Sequence, residues 1–293
     1  IFLGFAGSEY GQVLAASPAG GSVYAATGSS CSIAAGRLSY TLGLQGPCVS
    51  YDTACSSALA ASHSALRALQ LGEASGALSA GVSLILAPAI GTIFAVAGMT
   101  STRGRSHTFD SRADGYARGE ACGGVALGTD GDKEDGGLRL LGSAVRQDGR
   151  SASLTAPNGQ AQQGLLGAAV ADARVVANGL ALNEAHGTGT SLGDPIEAGS
   201  LEGAVVSNRS FGPLVVGGVK ANIGHAEAAA GLTGLLKLVV GLGHHEGGPN
   251  AQLHALNPHV RNVISRIEWA LPVELSLVEE VCGGVSSFGY SGT

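Results

Sequence analysis

Apolar, strand-favouring residues gather over 48–54 and again over 77–86, and between them runs an alanine- and leucine-rich stretch that Gly72 closes. Valine, tyrosine and threonine favour extended backbone, whereas alanine and leucine favour helix, so this stretch predicts strand 48–54, a helix over about 56–71, and strand 77–86. A similar rhythm returns further on. "GLALNEAHGTGT" and "LVVGGVKANIGH" read as strand-to-turn segments, and a small-residue helix over about 226–241 follows the second. The recurrence suggests an internal duplication. Strands alternating with helices predict a layered α/β fold in which helices cover mostly buried sheets. The charged, glycine-rich stretch 129–139, "TDGDKEDGGLR", is the expected surface connection between the halves.

Composition narrows the picture. The chain has 293 residues, enough for a large core, with 13% charged residues and 48 glycines, as a compact, turn-rich protein requires. A net charge of −6 and only 4% aromatic residues argue against nucleic-acid binding. Cysteines at 31, 48, 55, 122 and 282 make no CxxC pair, which speaks against zinc, and their odd number without a signal peptide speaks for a reducing, intracellular compartment. Residues 74–102 carry no charge, yet Pro88 and several Gly and Ser residues interrupt them, so a buried strand, a loop and a short apolar segment are expected rather than a membrane span.

Three reactive side chains fall just past strand ends in this reading: Cys55, His186 and His225. Sites assemble at strand ends in α/β sheets. Cys55 stands at or near a helix N-terminus, where unpaired amides stabilise a thiolate, so its pKa is expected to fall and its reactivity to exceed that of the other thiols. The plainer alternative is a small buried core residue. His186 precedes a Gly/Thr-rich turn, with Asp194-Pro195 opening the next helix as cap and first-turn residues. Lys220 lies five residues before His225. Arg103, Arg105, Arg112 and Arg118 are interleaved with Asp110, Asp114 and Glu120, so internal ion pairs are favoured over a basic docking patch. His244, His245, His254 and His259 show no ligand spacing and read as surface residues.

Six stretches, in order, resemble the β-ketoacyl synthase family: "DTACSSAL", "FDSRADGYARGE" (109–120), "SLTAPNGQAQQ" (153–163), "EAHGTGTSLGDPIEA" (184–198), "VKANIGHAEAAAGLTGLLK" (219–237) and "GVSSFGYSGT" (284–293). The wording of the third and fourth is most similar to modular type I polyketide synthases. The resemblance implies a thiolase-like, duplicated αβαβα fold, incomplete at the N-terminus, with a thiol-bearing half at 1–130 and a histidine-bearing half at 131–293. It implies decarboxylative condensation of an acyl-enzyme thioester with a malonyl-type thioester, extending a polyketide or fatty acyl chain. Cys55 matches the acyl-accepting nucleophile, and His186 and His225 match the pair that promotes decarboxylation. Lys220 and Asp194 match supporting positions. Tyr290 matches the gate whose amide joins that of Cys55 in an oxyanion hole, and Thr188, Thr190 and Phe288 match contacts to the pantetheine arm. No metal and no bound cofactor are implied, because the substrates ride on the phosphopantetheine of an acyl carrier protein. A homodimer is implied, with acyltransferase and reductase supplied elsewhere. Tyr290, Ser291 and Ser286 depart from the usual Phe, Gly and Asn. The opposing reading is a non-catalytic remnant that binds carrier protein or partner subunits.

Overall fold

The structure is a computed structural model that describes residues 1–7, 9–129, 137–210, 212–264, 269–279 and 282–293. In its first half, β1 (Phe2–Gly4), β2 (Val49–Tyr51), β3 (Gly76–Ser83) and β4 (Ala121–Gly128) form one sheet in the order β2–β1–β3–β4. The first three strands are parallel, and β4 runs antiparallel to β3 from Gly76 opposite Gly128 to Ser83 opposite Ala121. In the second half, β5 (Leu182–Glu184), β6 (Leu214–Gly217), β8 (Trp269–Ala270) and β10 (Gly283–Val285) make a parallel sheet in the order β10–β5–β6–β8. A small antiparallel ribbon of β7 (Glu246–Gly247) and β9 (Ser276–Leu277) stands beside it. The order β2–β1–β3 in one half recurs as β6–β5–β10 in the other. That is the duplication expected from the sequence rhythm.

Alternation along the strands decides which helix each face meets. In β1, Leu3 packs with Ala35 of α3 (Cys31–Leu42), while Phe2 turns the other way onto Ala61, Ala65 and Leu69 of α4 (Ser57–Gln70). Full burial of a Phe or Leu side chain stabilises the fold by about 1.5–3 kcal/mol, so these two faces fix the register of the sheet between its helices. In the second half, Leu182 of β5 packs on Leu238 and Leu242 of α9 (Ala230–His244). Ala185, one residue past β5, and Val216 of β6 face Ala198 and Leu201 of α7 (Gly193–Ala204), against which α6 (Gly159–Ala173) also packs. Helices α4 and α9 touch each other, so they form the middle layer of an αβαβα stack.

That middle layer is tight because its contacts are made by the smallest side chains. A Cβ on Gly81 of β3 would lie 2.9 Å from Ala58 Cβ, and one on Gly231 of α9 would lie 2.5 Å from Leu59 Cγ. Glycine is required at both positions for backbone to approach helix. The N-terminal ends of α4 and α9 are thereby brought to one place.

The expected elements shift by a few residues. Strand 48–54 shortens to Val49–Tyr51, because residues 54–56 make a tight 3-10 turn before α4. Strand 77–86 becomes Gly76–Ser83, and the apolar segment after it is helix α5 (Pro88–Val96). The helix expected at 226–241 is Ala230–His244, preceded by a 3-10 turn at Glu227–Ala229. Among the described residues no helix is long and apolar enough to cross a membrane. Of the connection expected at 129–139, residues 130–136 lie outside the described residues.

Candidate active site

The Cys55 position begins with a strained turn. Ala54 has φ +55°, a left-handed conformation costly for a residue with a Cβ, and Asp52 holds it by accepting the Ala54 N–H at 3.1 Å. Cys55 therefore projects from the turn Ala54–Ser56 as the chain enters α4. The backbone amides of Cys55 itself and of Tyr290 both act on its sulfur to favour the thiolate. Ser287 Oγ donates to the Cys55 carbonyl at 2.7 Å, fixing the peptide from the second half of the chain.

The two imidazoles reach the thiol from that second half. His225 is wholly buried, and its Nε2 lies 3.1 Å from Cys55 Sγ. Its Nδ1 accepts the Glu227 N–H at 3.0 Å, so the neutral ring carries its proton on Nε2 and donates it toward the sulfur. The main chain of His225 is pinned to the first half, its N–H donating to the Ala117 carbonyl at 2.7 Å and its carbonyl accepting from Gly119 N–H at 2.8 Å. His186 follows β5, with its ring edge-on to those of His225 at 5.7 Å and Phe288 at 5.6 Å. Its turn is held by Glu197 of α7, whose carboxylate accepts the N–H groups of His186 at 2.6 Å and Gly187 at 2.7 Å.

Burial sets the charges here. Both histidines are held well below the usual imidazole range, first by desolvation and then by the positive charge of Lys220, and for His186 also by His225. They are neutral donors, not cations. Lys220 is 2% exposed and is itself lowered by burial, against the pull of Glu197, Glu184, Cys55 and Asp194. Burial likewise raises Asp194 to about 6 and Glu197 to about 7, against the backbone N–H groups that each accepts.

Cys55 departs from the sequence expectation. Burial pushes its thiol up to about 11, with Glu227 adding to the rise, while Lys220 and the amides of Cys55 and Tyr290 oppose it. The helix-end effect is present but the loss of water outweighs it. Cys31, Cys48 and Cys122 are exposed, whereas Cys55 is only partly accessible.

Asp194 stands in the first turn of α7 as expected, but Leu192 occupies the cap position. The Asp194 carboxylate instead accepts N–H groups from Phe109 at 2.7 Å and Gly189 at 3.0 Å, tying the 187–190 turn to the loop before β4. The hydroxyls of Thr188 and Thr190 lie 3.2 Å apart on that turn. The Tyr290 side chain is 46% exposed and lines a cavity of about 350 Å³ together with Asp52, Arg118, Glu227 and the apolar Phe5, Leu86 and Phe94.

The arginines divide as internal pairs require. Arg112 meets Asp110 at 2.7 Å, Arg103 meets Asp114 at 3.8 Å, and Arg118 meets both Glu227 at 2.7 Å and Glu9 at 2.9 Å. Arg105 is exposed and donates to the neighbouring Gly104 carbonyl. His244, His245, His254 and His259 are all exposed. Sequence reasoning did not single out Glu197, Ser287, Glu227 or Glu9, since each acts through a partner remote in the chain or through backbone groups.

Comparison with known proteins agrees with this geometry. The beta-ketoacyl synthase N-terminal domain matches residues 1–132, and the C-terminal domain of the same family matches residues 138–254. The chain is 42% identical to a phenolphthiocerol/phthiocerol polyketide synthase of Mycobacterium tuberculosis over 100% of its own length and 14% of that protein's. It is 40% identical to a pikromycin polyketide synthase component of Streptomyces venezuelae, again over 100% of this chain but 8% of the relative. Among solved structures, the ketosynthase from module 6 of the bacillaene synthase of Bacillus subtilis superposes with a TM-score of 0.87 at 34% identity, covering 99% of this chain and 52% of that one. The chain thus spans a small fraction of the curated relatives and about half of the solved ketosynthase. With a thiolase-like fold, a thiol and two neutral imidazoles converging at the middle layer, and both family domains matched in order, the chain belongs to the β-ketoacyl synthase family.

Proposed function

We propose that the chain carries the condensing step of a polyketide synthase, joining an acyl group held on Cys55 to a malonyl-type thioester with loss of CO2. The observation that carries this reading is the triangle of Cys55, His225 and His186, at which the amides of Cys55 and Tyr290 favour the thiolate. A hydrolase needs one imidazole as a base. Here His225 offers a proton on Nε2 and both rings are neutral donors, as enolate stabilisation requires.

The steps follow from the groups present. The sulfur of Cys55 attacks the acyl thioester, the oxyanion rests on the amides of Cys55 and Tyr290, and collapse releases the carrier's pantetheine thiol, which leaves with the proton that Cys55 gave up. The malonyl thioester then binds with its arm along Thr188, Thr190 and Phe288. Its C–C bond to the carboxylate breaks, CO2 departs, and the electron pair forms an enolate whose oxygen accepts the N–H groups of His186 and His225. The enolate carbon attacks the acyl carbonyl, the Cys55 thiolate leaves, and a β-ketoacyl thioester remains on the carrier. Each oxyanion donor contributes on the order of a hundredfold to a thousandfold in rate. Lys220 supplies the buried positive charge that favours the thiolate and keeps both imidazoles neutral.

The cavity beside Tyr290 is the proposed home of the acyl chain, and an acyl carrier protein the proposed donor. Exposed Val23, Tyr24, Tyr40 and Val96 support a homodimer, which sedimentation would test. The halves are taken to divide near residue 130, and an odd number of cysteines without a CxxC pair accords with a reducing compartment. The intact thiol, imidazoles and amides weigh against a non-catalytic remnant.

The deciding experiment offers a malonyl-carrier thioester with and without an acyl primer. Cys55→Ala is expected to abolish condensation yet still release CO2, and His225→Ala to impair that release. Chain extension by Cys55→Ala would overturn the proposal.

A further inference from the structure

Glu227 is used by the reaction only through its backbone N–H, yet its side chain sits in the most elaborate ion-pair network of the described residues. Its φ is +41°, in the left-handed region, where a residue with a Cβ is disfavoured by a factor of roughly 5 to 30 in population. That same strained peptide supplies the N–H that lies 3.0 Å from His225 Nδ1. The Glu227 carboxylate is gripped by Arg118 through two bonds, Nε to Oε1 at 2.7 Å and one terminal nitrogen to Oε2 at 3.0 Å. Arg118 is anchored in turn. It donates to Glu9 Oε1 at 2.9 Å, stacks near the Phe94 ring at 5.8 Å, and belongs to the segment whose neighbours Ala117 and Gly119 pair with the His225 main chain. Glu9, 4% exposed, spends its other oxygen on the N–H groups of Leu86 at 2.5 Å and Ala87 at 2.7 Å.

We propose that Glu227 and Arg118 are positioning residues: their bidentate pair, backed by Glu9, holds the Glu227 peptide in its left-handed conformation so that its N–H locks His225 in the Nε2–H tautomer. The side-chain pair and the ring meet through one peptide, so an ion pair on the cavity wall controls which imidazole nitrogen faces the thiol. The inference builds on the functional reading above, but its direct readout is the state of a ring and needs no turnover.

The test rests on one contrast. Glycine accepts a left-handed φ without strain, so Glu227→Gly needs no grip to keep its N–H in place, whereas Glu227→Ala keeps the strain and loses the grip. Glu227→Gln retains an acceptor for Arg118. Long-range proton–nitrogen NMR on histidine-labelled full chain, with the His225 signals assigned by their loss in His225→Ala, reads the tautomer directly. The parent and Glu227→Gln are expected to show Nε2–H alone, Glu227→Gly nearly so, and Glu227→Ala a mixture of tautomers. Malonyl decarboxylation should follow the same order, with kcat falling roughly fivefold or more in Glu227→Ala and KM for the malonyl thioester little changed. Arg118→Met should resemble Glu227→Ala, and if it does not fold, the alanine–glycine pair decides alone. A Glu227→Ala protein with the parent tautomer, or a glycine variant more perturbed than the alanine one, would overturn the proposal. Tautomers in the expected order in a parent that releases no CO2 would uphold the positioning role and overturn the condensing function instead.

Discussion

The raised thiol of Cys55 has a measurable signature in its pH dependence. With a pKa of about 11, roughly 1 in 10,000 Cys55 side chains is a thiolate at pH 7 and about 1 in 100 at pH 9. Only the thiolate is nucleophilic, so alkylation of Cys55 by iodoacetamide should climb about 100-fold over that interval without levelling. A thiol at its free value of about 8.5 would climb only about 25-fold and would already be levelling at pH 9. The assay is timed alkylation across this range, quenching and peptide mapping, with exposed Cys31, Cys48 and Cys122 as internal comparisons. Lys220→Met should slow labelling of Cys55 at every pH, because Lys220 is the largest influence opposing burial at the sulfur. A plateau at or below pH 9 in the parent would refute the reasoning, since the helix end and Lys220 would then outweigh desolvation.

Gly231→Ala would drive a Cβ to 2.5 Å from Leu59 Cγ and 3.2 Å from Ser287 Cβ, and should lower stability by about 1–3 kcal/mol in a thermal or denaturant melt. Glu197→Gln presents an amide group where a carboxylate oxygen accepts an N–H, so it should cost about 1–3 kcal/mol and slow decarboxylation by loosening the His186 turn. Glu197 at about 7 in the folded state lies above its unfolded value of 4.5, so the folded chain binds this proton more firmly. The parent should therefore gain stability over Glu197→Gln as pH falls from about 8 to about 5 in parallel melts. Tyr290→Phe should leave acyl loading unchanged, whereas Tyr290→Pro removes the backbone N–H proposed to hold the oxyanion and should slow burst-phase loading on the order of a hundredfold.

The candidate site was legible in the chain wherever one residue type at one strand end carried the meaning, as with Cys55, His186 and His225. The duplication was legible for a similar reason, because strand, reactive turn and small-residue helix repeat as local patterns. What stayed hidden depends on partners far apart. Arg118 and Glu227 stand 109 positions apart, so only the bridge of Arg118 to His225 reveals their pairing. Asp194 read as a cap because Asp-Pro often opens a helix, but its carboxylate is claimed by amides of another turn. The thiol's direction was misread for a related cause. A helix end is visible in sequence, whereas desolvation comes from every element that closes over the sulfur.

The division of labour across the middle layer bears on how such chains are recombined. Cys55 rides on the start of α4 in the first half, while His186, His225 and the Tyr290 amide come from the second. A chimera joined between β4 and α6 would pair one parent's thiol with another's imidazoles. Its success would hinge on Leu59 against Gly231, Gly81 against Ala229, and Arg118 against Glu227, rather than on the reactive residues, which both parents would share. Exchange of the whole unit keeps these fits intact, whereas a junction inside it requires all three to be transferred together.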